Sequence, residues 1–264
     1  MTLRPGPLSL LSFMVMAATS AAAAPPQTAA EIEDCIRENL PEKSSVQTIL
    51  LRAKDRIGAI NESKATIYWK KFDDGFSRVM LRFSAPPDMR GTGLLLVEKA
   101  EQNDMFMYLP ELKRVRRVTG RMLAGSMFGT DFSYEQFERI QGLAEDVSSE
   151  RLPDGQLDGK AVYVLSQIPD QEAGSSFERV VTYLDPANCV PLKVEFFERG
   201  ARLRKLLTAD ASQIDREGQS WIPRRLLMKD LRDGTETELV VEKIEVEASI
   251  PRKIFTQGAL ERGN

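Results

Sequence analysis

Short apolar segments separated by turn signals fill this chain from Gly58 onward and constrain its fold more than any other feature. β-Branched and aromatic residues make up "KATIYWKKF" and "SRVMLRFSAP", and the "DDG" between them is a strong hairpin signal. Similar segments recur as far as residue 248, among them "WIPRRLLMKDL", with "PDGQLDG", "DPANC", "ERGA", "REGQ" and "RDGT" as turns. The sequence has no βαβ alternation and no glycine-rich phosphate loop after a strand. This pattern predicts an α+β fold that is mainly an antiparallel β-meander.

Three segments depart from the strand pattern. In "AAEIEDCIRENLPEK", the side chains of Ile32, Cys35 and Ile36 share one helical face and Pro41 follows, which predicts a short helix. We expect "SSVQTILLRAKDRIG" to be a second helical or mixed segment that ends at Gly58. The terminal "IPRKIFTQGALERG" predicts a short closing helix.

Alternation along the strands predicts a sheet with one polar and one apolar face, as in "KIEVEA". The apolar face must be covered, yet the chain offers only a short N-terminal helical region and one mid-chain segment to do so. A large curved sheet with few helices would enclose an apolar cavity that suits a lipid. A closed barrel or a filled sandwich fits the same pattern.

The first 26 residues, "MTLRPGPLSLLSFMVMAATSAAAAPP", have the layout of a secretory signal peptide. Arg4 precedes an apolar run from Leu8 to Ala18, which is short for a membrane span of about 20 residues. We expect cleavage after Ala23, giving a signal peptide over residues 1–23 and a single domain over residues 24–264. An uncleaved anchor is the alternative.

Charge and residue usage exclude several functions. The formal charge of −3 becomes −4 when Arg4 is removed with residues 1–23, so a nucleic-acid partner is not expected. The chain contains no histidine, which excludes a Ser-His-Asp or Cys-His site and a histidine zinc site. We predict no metal and no cofactor.

Two cysteines, Cys35 and Cys189, lie 154 positions apart and form no CxxC motif. In an oxidising exported compartment we expect a disulfide between them, tying the N-terminal segment to the body. Two buried free thiols are the alternative.

The segment "SMFGTDFSYEQF", residues 126–137, predicts the start of a helix. Ser133 and Gln136 have the spacing of a capping box, and Phe132 and Phe137 that of a hydrophobic staple. Asp131 is expected to fix the preceding turn, with a catalytic carboxylate as the alternative. Met127 and Phe128 are expected to touch a bound ligand.

A strand rich in methionine and aromatic residues, "DMFMYLP", precedes the basic run "LKRVRRV". Soft and aromatic side chains adapt to varied ligands, although ordinary core filling explains them equally well. The basic run is either a solvated strand face or a contact for an anionic head group or partner; its candidates are Arg114, Arg116, Arg117 and Arg121.

Taken together, "RGTGLLLVEKAEQNDMFMYLPELKRVRRV", "GSMFGTDFSYEQF" and the terminal "IPRKIFTQGALER" resemble the LolA-like outer-membrane lipoprotein-sorting protein family, within the LolA/LolB/RseB superfamily. The resemblance covers about residues 30–262. It implies an incomplete (half) β-barrel wrapped around a few helices, with an apolar cavity inside. For that cavity we expect contributions from Leu94, Leu96, Phe106, Tyr108, Met127, Phe128, Phe132 and Tyr134.

The resemblance also implies a function. We expect a monomeric, non-enzymatic periplasmic carrier or chaperone, which binds lipid or lipoprotein acyl chains and moves them toward the outer membrane. Its partners would be an inner-membrane transporter and an outer-membrane acceptor. Two alternatives remain: a sensory or adaptor protein that binds a protein partner with lipid as modulator, and an enzyme that uses Asp131 or Glu135.

Overall fold

The computed structural model describes residues 1, 26–144 and 146–262. The predicted signal peptide and its cleavage site lie, Met1 excepted, outside the described residues. Within them the helices are α1 (Ala29–Arg37), α2 (Tyr134–Ile140) and α3 (Gln257–Arg262). The strands are β1 (Ser44–Lys54), β2 (Ile60–Lys71), β3 (Ser77–Ala85), β4 (Gly93–Val97), β5 (Asp104–Leu109), β6 (Arg114–Val118), β7 (Asp146–Leu157), β8 (Lys160–Pro169), β9 (Arg179–Leu184), β10 (Pro191–Glu198), β11 (Arg202–Ala209), β12 (Ile214–Glu217), β13 (Ser220–Pro223), β14 (Arg225–Asp230) and β15 (Thr235–Val246).

Thirteen strands form one antiparallel sheet in the order β6-β5-β4-β3-β2-β1-β15-β14-β11-β10-β9-β8-β7, and β12 and β13 pair separately. The sheet is open, because its edge strands β6 and β7 are not paired with each other. The expected mainly antiparallel, incomplete barrel is confirmed, and the closed-barrel alternative is wrong. Sequential hairpins account for most of the order, and β1 against β15 joins the two halves.

The prediction of a helical or mixed segment over residues 44–58 is wrong, because residues 44–54 form β1. This strand pairs along its whole length with β2 and along most of it with β15. Ladder bonds on both sides and β-branched residues such as Val46, Thr48 and Ile49 outweigh the helical pattern. The helix predicted around Cys35 is confirmed as α1, which begins with a capping box between Thr28 and Glu31.

Two other strand boundaries differ from expectation. "PDGQLDG" is not all turn, because β7 runs to Leu157. Its Pro153 is tolerated on an edge strand, where a register irregularity falls between Leu152 and Gly155. The segment predicted as one strand, "WIPRRLLMKDL", is divided at Arg224, with β13 before it and β14 after it.

Both faces of the sheet carry apolar clusters, so the expectation of one polar face is only partly met. The inner face, against which α1 and α2 pack, holds the largest cluster, which includes Ile67, Leu81 and Phe196. On the outer face, the C-terminal segment covers a second cluster with Phe255 and Leu260. Helices α1 and α2 therefore occupy the inner face without filling it, while α3 lies on the outer face.

Candidate functional site

A cavity of about 760 Å³ lies between α1, the end of α2 and the inner face of the sheet. This volume falls in the range of about 300–1,000 Å³ typical of ligand pockets. Its floor is mainly apolar and is built by strands from both halves of the sheet: Ile49, Ile67, Trp69, Val194, Phe196, Leu207, Leu226, Leu239 and Val241. The cavity can therefore hold an apolar ligand.

Helix α1 and the loop after it form the roof of this cavity. Cys35 of α1 is bonded to Cys189, with Cα atoms 5.8 Å apart, which confirms the expected disulfide. Asn39 Nδ2 donates to the Asn188 carbonyl at 2.6 Å, and the Trp221 backbone N–H donates to Asn39 Oδ1 at 3.1 Å. The roof is thus fixed at one side by a covalent bond and by hydrogen bonds.

The cavity mouth is marked by the exposed members of its lining, which include Arg37, Gly142 and Ser148. Leu40 closes one side of it by lying against Gly142, where an added Cβ would stand 2.5 Å from Leu40 Cδ1. Gly142 also has a φ of +73°, which favours glycine. Leu40 and Gly142 are in packing contact only, whereas Cys35 on the other side of the roof is covalently bonded.

A compact polar group lines the cavity beside the end of α2. Arg139 makes a two-pronged ion pair with Asp146, with Nη2–Oδ1 at 2.6 Å and Nη1–Oδ2 at 3.0 Å. Gln167 Nε2 donates to Asp146 Oδ2 at 2.6 Å, and Gln167 Oε1 accepts from Arg139 Nη1 at 3.3 Å. These three side chains satisfy one another, so they close the cavity wall rather than offer a free charge.

The eight residues expected to line the cavity do not line it. Six belong to the packed inner-face core beside α2: Leu94, Leu96, Met127, Phe128, Phe132 and Tyr134. Phe128, for example, packs edge-on against Phe83 and Tyr134, with ring centroids 5.2 and 5.9 Å away. Burial raises the pKa of the Tyr134 hydroxyl, which donates to Met107 Sδ. The segment around α2 fills this part of the inner face.

The other two expected residues, Phe106 and Tyr108, lie on the outer face. They alternate along β5 with Met105 and Met107, which face the inner core. On the outer face they pack with the cluster under the C-terminal segment, close to Phe255. The strand alternation that puts the methionines inside puts these two aromatic rings outside, on the face opposite the cavity.

The predicted basic contact residues, Arg114, Arg116, Arg117 and Arg121, are exposed on or just after the edge strand β6. Arg117 pairs with Asp104, which also pairs with Lys99. The hydrogen bond from Lys99 and the charge of Arg117 lower the pKa of the Asp104 carboxyl. None of the four arginines lines the cavity, and charges on an edge strand discourage edge-to-edge aggregation.

The capping prediction for α2 is confirmed. The Gln136 N–H donates to Ser133 Oγ at 3.2 Å, and the Ser133 N–H donates to Gln136 Oε1 at 2.9 Å. Phe132 and Phe137 are both buried in the inner-face cluster, as a staple requires.

Asp131 is held by the other half of the sheet. Its Oδ2 accepts from Thr237 Oγ1 at 2.6 Å, its Oδ1 accepts from the Thr235 hydroxyl, and its N–H donates to Thr237 Oγ1 at 2.9 Å. These bonds fix the turn before α2 onto β15. Both partners lie more than 100 residues along the chain, so no local pattern indicated them.

Lys205, a buried lysine of β11, was not singled out by its sequence context. Its Nζ donates to the Asp131 carbonyl at 2.5 Å and to Gln136 Oε1 at 3.4 Å. Burial, reinforced by the charge of Arg204, lowers its pKa to about 8. A polar pocket of about 600 Å³ adjoins it, and in the lining of this pocket Arg204 pairs with Asp230 and Asp233.

Comparisons with known proteins agree with this architecture. A family model described as "uncharacterized protein" matches residues 75–262. A putative outer membrane lipoprotein-sorting protein domain from Vibrio parahaemolyticus is similar in structure at 25% identity, with a TM-score of 0.79 over 88% of this chain and 97% of that one. No curated protein matches the chain.

Two further solved structures share the fold. A DUF1329 family protein from Desulfovibrio piger is 21% identical, with a TM-score of 0.79 over 88% of this chain and 98% of that one. A LolA superfamily protein from Nitrosomonas europaea is 19% identical, with a TM-score of 0.70 over 89% of this chain and 100% of that one. Among the helices of residues 26–144 and 146–262, none combines the length and apolar character required to cross a bilayer.

Proposed function

Because the chain belongs to the LolA-like outer-membrane lipoprotein-sorting protein family, we propose that it is a periplasmic carrier for lipid or lipoprotein acyl chains. The observation that carries this proposal is the cavity beneath α1, with its apolar floor of residues from both halves of the sheet. The carrier acts after export and removal of the signal peptide. An inner-membrane transporter supplies the cargo, and an outer-membrane acceptor receives it.

Partition out of water supplies the binding free energy. Each CH₂ group that moves from water into the cavity contributes roughly 0.8 kcal/mol. Arg139, Asp146 and Gln167 form a polar part of the cavity wall. Because they are hydrogen-bonded to one another, they present no unpaired charge to a bound acyl chain. Entry and release occur where Leu40 meets Gly142, since Cys35 holds the other side of the roof.

The two carboxylates considered for catalysis, Asp131 and Glu135, are engaged in hydrogen bonds within the protein, which supports a non-enzymatic role. Asp131 accepts hydrogen bonds from Thr235 and Thr237. Glu135 accepts from the hydroxyls of Ser175 and Ser176 at 2.7 and 2.8 Å. Both carboxylates therefore position segments of the chain, and neither lines the cavity.

Native mass spectrometry of the protein purified from its own periplasm tests the proposal. We expect a bound species that lipid extraction identifies as acylated, and its loss when Val194→Phe narrows the cavity. The control is the same substitution at Val147, which is 69% exposed. An empty protein that takes up no acyl probe contradicts the carrier function, and a protein partner retained without lipid supports an adaptor instead.

A further inference from the structure

One corner of the cavity is polar. It consists of Ser45 and Gln47 on β1 and Trp69 on β2, and we call it the polar corner. Ser45 lies directly opposite Trp69 in the strand register, and Gln47 follows two residues later on the same face, opposite Ile67. All three residues line the cavity. The corner is thus built by two neighbouring strands and is independent of the roof.

The polar groups of this corner have no hydrogen-bond partner in the part of the chain that the structure describes. Ser45 and Trp69 are only 1% and 4% exposed, and neither Ser45 Oγ nor Trp69 Nε1 has a hydrogen-bond partner among the described residues. The half-buried Gln47 side chain forms no hydrogen bond within the same ranges either. A buried polar group without a partner is unfavourable. The polar corner therefore differs from the group around Arg139, whose members satisfy one another.

The chemistry of the corner favours a hydrogen-bond acceptor. The indole N–H of Trp69 can only donate, while the Ser45 hydroxyl and the Gln47 amide can each donate as well. The floor nearby is hydrocarbon, including Ile49 and Ile67. A ligand that consists only of hydrocarbon would cover these donors and leave them unpaired.

We infer that the polar corner binds the carbonyl oxygen of an acyl group, so that the ligand is an acyl ester or acyl amide rather than a plain hydrocarbon chain. This inference rests on the proposed carrier function and names the chemistry of its cargo. Gln47, the most exposed of the three, meets the carbonyl first, with Ser45 and Trp69 behind it. A glycerolipid ester and the acyl amide of a lipoprotein share this carbonyl.

Two lipids that differ only at the carbonyl test the inference. The full mature chain, freed of bound lipid, is titrated calorimetrically with 1-palmitoyl-lysophosphatidylcholine and with its 1-O-hexadecyl ether analogue, both below their micellar concentrations. The head group and chain length are matched, and the ether lacks the carbonyl. We expect the affinity for the acyl lipid to be at least about fivefold higher than that for the ether, because one or two good hydrogen bonds provide a difference of this size. A palmitoylated lipopeptide is titrated in parallel. Its affinity shows whether the carbonyl of an acyl amide binds as well as the carbonyl of an acyl ester.

Conservative variants then assign the preference to the corner. Trp69→Phe keeps an aromatic ring and removes the donor, and Ser45→Ala removes the hydroxyl. Each should weaken binding of the acyl lipid and of the lipopeptide about three- to tenfold and leave the ether unchanged. Trp221 also lines the cavity, so Trp221→Phe is the matched control and should retain the preference for the acyl lipid.

Equal affinity of the wild type for the acyl and ether lipids overturns the inference and leaves the carrier function standing. Such a result is expected if a water molecule satisfies the corner. A preference that survives both Trp69→Phe and Ser45→Ala overturns it as well. If no lipid and no lipopeptide binds, the proposed function fails together with the inference.

Discussion

Cys35 is bonded to Cys189 across 154 positions of sequence, and the bond fixes helix α1 beside the turn that precedes β10. The same helix forms the roof of the cavity. Stability of the fold and closure of the candidate site are therefore linked through one covalent bond.

Removal of this bond should destabilise the protein. For the double variant Cys35→Ser and Cys189→Ser, we expect the free energy of unfolding to fall by about 2–5 kcal/mol, because a long loop of the unfolded chain is no longer constrained. Denaturant titration measures this change in the free energy of unfolding. A reductant should lower the stability of the wild type and have no effect on the double variant. An equal response in both proteins would contradict a stabilising bridge.

Gly142 should resist substitution because of Leu40. In Gly142→Ala, the new Cβ would stand 2.5 Å from Leu40 Cδ1, in addition to the strain of a positive φ. Gly129 is the matched control, since it has a φ of +79° and open space around its Cβ position. We expect Gly142→Ala to destabilise the protein by about 1–3 kcal/mol more than Gly129→Ala.

The Leu40→Ala background should remove most of that excess, since only the clash depends on the leucine side chain. A double-mutant cycle measures this coupling. If Gly142→Ala and Gly129→Ala cost the same in both backgrounds, the contact between Leu40 and Gly142 does not close the roof.

Asp131 should be important for stability and not for binding. Asp131→Ala deprives the hydroxyls of Thr235 and Thr237 of their acceptor, and hydrogen bonds to a charged group typically contribute about 1.5–3 kcal/mol. We expect a loss of that size in the free energy of unfolding, with acyl-chain affinity retained. Asp88→Ala, at an exposed position, should change stability by less than about 0.5 kcal/mol. A stable Asp131→Ala protein that no longer functions would instead favour a chemical role.

Lys205 should make stability rise with pH. Its pKa is about 8 in the folded protein, below the ordinary lysine value of 10.5, so the unfolded chain binds more protons between those two values. Stability then increases as the pH rises through this window, by roughly 3 kcal/mol if the window is crossed completely.

Unfolding experiments from pH 7 to pH 10 compare the wild type with Lys205→Met. The variant should lose this rise, while Lys229→Met, at an exposed lysine of the neighbouring strand β14, should keep it. Identical pH profiles for the wild type and Lys205→Met would show that the charge of Lys205 is not penalised by burial.

Local features of the fold could be predicted from the sequence, and the location of the site could not. The capping box of Ser133 and Gln136 depends on spacing within one turn, and the strand alternation of Met105 and Phe106 depends on adjacent residues. Which face of that strand looks inward depends on packing against α2 and the C-terminal segment. Similarly, residues 44–54 carry a mixed pattern that only pairing with two neighbouring strands resolves.

An apolar cavity was expected from the sequence, and the cavity beneath α1 is lined by residues other than the eight that were named for it. The residues named from the resemblance lie between positions 94 and 134, and there the inner face is filled by Phe132 and its neighbours. The open volume lies under α1, where Ile49, Val194 and Val241 meet from distant parts of the chain. No local pattern links those positions, because the sheet order brings them together.

Quenching of tryptophan fluorescence by a brominated acyl chain tests the central claim most directly. The chain has two tryptophans, Trp69 and Trp221, and both line the cavity. We expect saturable quenching of each in the single-tryptophan variants Trp221→Phe and Trp69→Phe. Val194→Phe and Val241→Phe should weaken it by narrowing the cavity, and Val147→Phe should leave it unchanged. Absence of quenching would contradict an acyl chain in this cavity. Equal quenching in Val194→Phe, Val241→Phe and Val147→Phe would contradict it as well.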